Sequence, residues 1–136
     1  MRRAVPQQGD AKQRLHELLD RAYSRFAKYE PHMRAALQLA LEHQSLEAAG
    51  QREEEPFRRG QRTEILATTL SPLRQQLSPR TYRRLLQALS VVYGIEPMVI
   101  LKDICKATDR ETEAVVRWMM DALVDAALRE SPSREA

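Results

Sequence analysis

LLQALSVVYGIEPMVILKDIC, Leu85 to Cys105, holds fourteen apolar residues in twenty-one positions. That exceeds the three or four per two turns that a one-sided surface helix needs. Gln87, Ser90, Glu96, Pro97, Lys102 and Asp103 interrupt it, and its longest unbroken apolar run, Met98 to Leu101, is four residues. A membrane span needs roughly 20 in a row. A soluble helix of this composition wants cover on two sides, which predicts a core against one flank and a partner against the other. Ser78-Pro79 opens it with an N-cap and a proline at the first helical position. At about 100° per residue, Leu86, Tyr93, Ile100 and Ile104 share one flank, and Val91, Ile95 and Met98 the nearly opposite one. Pro97 cannot donate to Tyr93, which stands just before Gly94, so a mid-helix bend is predicted at Pro97.

Downstream, Thr108 and Glu111 form a capping box that opens a last helix running to about Leu128. Val115, Met119, Ala122 and Ala126 line one stripe of it, and Val116, Met120, Leu123 and Ala127 the next, while Arg117, Asp121 and Asp125 are predicted to face away. The connection before it is short, so the last two helices form an antiparallel hairpin.

Upstream, Asp10 is the expected N-cap of a first helix carrying Ala11, Leu15, Leu18, Leu19, Ala22, Tyr23 and Phe26 at helical spacing. It ends near Lys28, since Pro31 disfavours helical geometry at Glu30 and suits the start of a second helix. On that helix Met33, Ala36, Leu37, Ala40 and Leu41 trace one face. Residues 46–60 have no apolar period and read as a connection. The acids Glu53, Glu54 and Glu55 there offset Arg58, Arg59 and Arg62, as in a solvated loop. A third helix carries Ile65, Leu66, Leu70, Leu73 and Leu77, kinked near Pro72. The expected architecture is an all-α, single-domain bundle of five to six helices over residues 10–129. A flexible arm, 1–9, precedes it and a disordered tail, 130–136, follows.

The bulk properties exclude more than they assign. A chain of 136 residues with 43% hydrophobic and 30% charged residues is one globular domain. One cysteine, Cys105, excludes an internal disulfide framework and fits a reducing, cytoplasmic setting. At the predicted end of a helix Cys105 is expected to be buried and inert, because the dipole there disfavours a thiolate. The net charge of +3 is spread over every helix beside acids, without the concentrated patch that phosphate tracking requires. His16, His32 and His43 have no ligand cluster around them. His32 and His43 lie roughly 16 Å apart along a helix, too far to share a metal. No nucleotide loop or nucleophile elbow occurs. The chain is therefore read as no enzyme, with no cofactor and no metal.

Two sets of residues remain as candidates. Tyr23, Phe26, Met33, Leu37, Leu66, Thr69 and Tyr93 are the large or hydroxyl-bearing residues of inward faces. They suit either a pocket for a small apolar ligand or a filled core. Glu96 falls in an apolar arc between Leu89, Val92 and Val99. It reads as a polar handle in that pocket, a cross-subunit partner, or a group turned to solvent by the bend.

ALSVVYGIEPMVILKDICKATDRETEAVVRWMMDALVDAAL, Ala88 to Leu128, resembles the C-terminal portion of TetR-family transcriptional regulators. The shared pattern is an A-L-S-x-V-x-G-x-E core, then V-x-L-K/R-D, a capped turn and a helix with V-x-R-W. RAALQLALEHQ (Arg34 to Gln44) and FRRGQRTEILATTLSPLRQQL (Phe57 to Leu77) are also similar to such proteins. The resemblance implies an effector-binding and dimerisation domain whose last two helices pair with a second copy as a four-helix interface. It places Val91, Ile95, Met98, Val115, Trp118, Met119 and Leu123 at that contact. It makes Tyr23, Phe26, Met33, Leu37, Leu66, Thr69, Tyr93 and Glu96 the pocket. The family's helix-turn-helix, which precedes this portion, has no counterpart in these residues, so the expected partners are a second copy and a small apolar effector, with no membrane and DNA only through a domain elsewhere. The rival expectation is a ligand-free helical protein–protein interaction module; a weaker one is non-specific nucleic-acid binding through scattered arginines.

Overall fold

The computed structural model describes residues 8–48 and 61–130, and among them every regular element is helical. The protein is all-α. Helix α1 (Gln8–Ala48) is two helices joined at Tyr29, whose backbone (φ −123°, ψ 19°) leaves the helical region two residues before Pro31. The proline has no N–H to give the carbonyl of Ala27, and the chain deviates where that bond is missing. Asp10 sits in the first turn rather than capping it, because the helix already begins at Gln8. The first half of α1 buries Ala11, Leu15, Leu18, Leu19, Ala22 and Phe26, while in the second half Leu39 and Leu41 are exposed. The expected face there therefore stops at Ala40.

Helix α2 (Gln61–Thr69) does not continue through a kink at Pro72. It gives way to a 3-10 turn, Ser71–Leu73. Leu73 donates to Leu70, Arg74 to Ser71 and Gln76 to Leu73, so the chain tightens to a shorter spacing where proline has removed a donor. Helix α3 (Pro79–Val92) begins as its sequence dictates, with the Ser78 hydroxyl accepting from the Thr81 N–H at 3.1 Å. Its core face is Tyr82, Leu85 and Leu89.

The long central helix is broken earlier than expected. Tyr93 is extended, Gly94 has φ 130° and ψ −165°, and a new helix, α4 (Ile95–Val99), starts beyond them at 44° to α3. Pro97 is thus third in a first turn, where its missing N–H costs nothing. Glycine makes the break, because that φ/ψ pair is open to it alone. α4 runs into a π turn, Ile100–Ile104, beyond which Lys106 takes a positive φ of 58°. The break and the π turn each reset the helical phase. Ile100, Ile104 and Cys105, expected on a buried flank, are exposed.

Helix α5 (Asp109–Glu130) opens on the expected capping box. The Thr108 N–H donates to Glu111 at 2.8 Å, and the Glu111 N–H to the Thr108 hydroxyl at 3.0 Å. It runs antiparallel to α3, so that Thr81 and Arg84 at the start of α3 meet Glu130 at its end. Its core stripe is Thr112, Val116, Met120, Val124 and Ala127. The acids expected in solvent are turned to α1 instead. Lys12–Asp125 (2.7 Å), His16–Asp121 (2.8 Å) and Asp20–Arg117 (2.8 Å) form a ladder of one pair per turn along the α1–α5 seam. A second network ties the break in α1 to the π turn. Arg34 bonds Glu30 and, through two nitrogens, Asp103, while Lys102 bonds Glu30 and Asp109. The core between these seams is leucine-rich, with Leu15, Leu19, Leu66, Leu70, Leu73 and Leu89 fully buried. No single described helix is long and apolar enough to cross a membrane.

Candidate functional site

Beside the break at Gly94 lies a gap that no side chain among the described residues fills. A cleft of about 650 Å³ lies between both halves of α1, the start of α2 and the α3–α4 junction. Ala22, Phe26, Met33, Ala36, Leu37 and Ala40 of α1 form its floor, with Tyr93 and Ile95 opposite.

The cleft's polar end is one ion pair. Arg62 Nη2 donates to Glu96 at 2.8 and 3.1 Å, and Nη1 donates to the backbone carbonyl of Ser90 at 3.0 Å. Ser90 lies in the last turns of α3 and Glu96 in the first turn of α4, so a single guanidinium clips the two arms of the bend together. Gly94 sits directly beneath it. A Cβ there would stand 2.7 Å from Arg62 Nη2 and 2.9 Å from Glu96 Oε1. Arg25 lines the rim, exposed, with no ion pair among the described residues.

Five of the eight residues expected at a pocket line this cleft: Phe26, Met33, Leu37, Tyr93 and Glu96. The other three lie elsewhere. Leu66 is fully buried core. Thr69 returns its hydroxyl to the Ile65 carbonyl at 2.8 Å. Tyr23 packs edge-on to Phe26 with its hydroxyl buried and without a partner among the described residues. Burial and the nearby carboxylates of Glu113 and Asp109 push the Tyr23 phenol up to about 12. Arg62, Arg25, Ser90 and Gly94 were missed. Arg62 stands in the run RRGQR beside three glutamates, and nothing local separates it from its neighbours. The rest of that charged stretch, 49–60, falls outside the described residues.

The second surface is the outer side of the α3–α5 seam. Arg84 faces α5, and Val91, seven residues on, is on the same flank. On α5, Val115, Trp118, Met119, Ala122 and Ala126 follow at helical spacing on the flank that ends at Glu130. Trp118 and Val91 are each 70% exposed and Val115 is 36% exposed, while Met119 and Leu123 are half-buried. Ile95 and Met98, expected at the same contact, are buried inside the chain, because the break at Gly94 turns α4 into the core. Among the described residues no three His, Cys, Asp or Glu side chains group as metal ligands. His16 pairs with Asp121, His43 is buried, and His32 stands beside Tyr29. Set against family models, curated proteins and solved structures, the chain matches none.

Proposed function

We propose that this chain is the effector-sensing and dimerisation domain of a TetR-like transcriptional regulator. The observation that carries the reading is the pairing of two features on one bent segment. Its inner side closes an apolar cleft at Arg62–Glu96, and its outer side, with α5, presents Val91, Val115 and Trp118 to solvent. The resemblance over Ala88 to Leu128 supports the same assignment, since it expects a pocket and a self-pairing surface from these same helices. An exposed tryptophan beside valines is the composition of an interface centre rather than of ordinary surface. A second copy is the occupant assigned to it. A ligand in the cleft touches both arms of the bend, and any preference for one bend angle shifts the hairpin that the second copy packs on.

Light scattering on the purified chain tests the dimer. The expected mass is twice the 15.7 kDa of one chain, and Trp118→Glu with Val91→Glu is expected to return it to one chain with helical content unchanged. Those positions are preferable to Met119 or Leu123, whose burial would confound folding with association. A wild-type monomer at micromolar concentration overturns the dimer. Melting against a panel of neutral apolar compounds tests sensing, since a ligand that binds only the folded state raises the melting temperature. A panel without effect favours the ligand-free interaction module.

A further inference from the structure

We propose that the cleft takes a small apolar carboxylic acid, its hydrocarbon on the α1 floor and its carboxylate on Arg62, where the guanidinium bridges Ser90 and Glu96. This rests on the ligand-sensing reading above and gives the ligand's chemical class.

The floor is apolar along its length, from Phe26 and Met33 to Leu37, with Tyr93 and Ile95 facing it. Among the described residues, the charges on the lining are two arginines, Arg25 and Arg62, against one carboxylate, Glu96. A cation entering the cleft meets that excess, and an anion is drawn by it. Arg62 is also chemically unfinished. A guanidinium has five N–H donors in a fixed fork. Glu96 takes Nη2 and the Ser90 carbonyl takes one N–H of Nη1. The Nε–H and the second N–H of Nη1 have no partner among the described residues. These two donors lie on different edges of the guanidinium, so a carboxylate makes two parallel bonds by taking Nε–H together with an Nη2 N–H drawn from Glu96, which an alcohol or an ester cannot match. Glu96 is then a competitor for the same cation. It holds Arg62 in the empty cleft, and an incoming carboxylate draws the guanidinium from it, loosening the clip between α3 and α4.

Calorimetric titration of decanoate, 1-decanol and decylamine into the full chain, below micelle-forming concentrations, separates the possibilities. Decanoate is expected to bind at one per chain, at least about tenfold tighter than decanol, with decylamine not binding. Arg62→Gln is expected to erase the preference for decanoate over decanol. Glu96→Gln, which removes the competing carboxylate, is expected to tighten decanoate and not decanol; this arm stands even if the Arg62 variant folds poorly. Decanol binding as tightly as decanoate, or a preference that survives Arg62→Gln, overturns the acid class while the apolar cleft and the sensing reading remain. Binding by none of the three also overturns it. The neutral-compound melting panel then decides separately whether the cleft senses anything.

Discussion

Replacing Gly94 by alanine tests the break on which both the cleft and the hairpin depend. Gly94 has φ 130° and ψ −165°, a region essentially closed to residues with a Cβ, and occupying it costs about 1–3 kcal/mol. The new methyl also lands 2.7 Å from Arg62 Nη2 and 2.9 Å from Glu96 Oε1. Both side chains can swing aside, so the steric cost is the loss of their pairing rather than a backbone clash. Each is 30% exposed, and solvent screening limits the pair to about 1 kcal/mol, between an exposed ion pair and a sheltered charge-assisted bond. The sum is a loss of about 2–4 kcal/mol, read by urea denaturation followed at the helical circular-dichroism band. In an Arg62→Met background the same substitution is expected to cost less by about the worth of the pair. A loss below about 0.5 kcal/mol, the range of an ordinary surface change, would refute the claim that glycine sets this break.

Tyr23→Phe is expected to raise the unfolding free energy by about 1 kcal/mol, because it removes a buried hydroxyl that has no partner among the described residues; a loss of stability in the same denaturation assay shows that the hydroxyl is bonded. Ser78→Ala is expected to cost about 1 kcal/mol through loss of the N-cap on α3, and an unchanged urea midpoint would contradict that. Asp20, Glu30 and Asp103 are held below their ordinary values of 3.8, 4.5 and 3.8 by bonds from Arg117, Lys102 and Arg34 respectively. A depressed carboxylate stabilises the fold above its unfolded pKa and ceases to as pH falls through its folded one, so stability is expected to hold to about pH 5 and decline below about pH 4.5. Lys12 and Lys102, raised above 10.5 by Asp125 and Asp109, contribute fully below that pH and lose their share as it climbs further. A urea midpoint that rises on acidification to pH 3 contradicts the carboxylate assignment.

The cleft shows how unevenly sequence carries a site. Phe26, Met33, Leu37 and Tyr93 were legible as inward-facing because helical periodicity alone says which side of a helix is buried. Whether that side meets solid core or a gap depends on how both halves of α1 pack against α2 and the α3–α4 junction, and no local pattern encodes that packing. Leu66 carries the same signal as Leu37, yet one is fully buried core and the other lines the cleft.

For the element at the centre of the chain, Leu85 to Cys105, sequence by itself determined an all-α protein, the cap at Ser78 and the capping box at Thr108. It also determined an excess of apolar surface too great for one flank. Caps and periods act within a few residues, so a few residues suffice to read them. Tertiary structure decided where the helix breaks. Proline drew attention to position 97, but a proline in a first turn is harmless, and the bend settled at Gly94, where the left-handed backbone is tolerated. It decided that Ile95 and Met98 go inward while Val91 and Trp118 stay outside. It also carried Arg62, 34 positions before Glu96, across to that carboxylate. Long-range pairing of charges depends on the packing of whole helices, so it appears only when they are assembled.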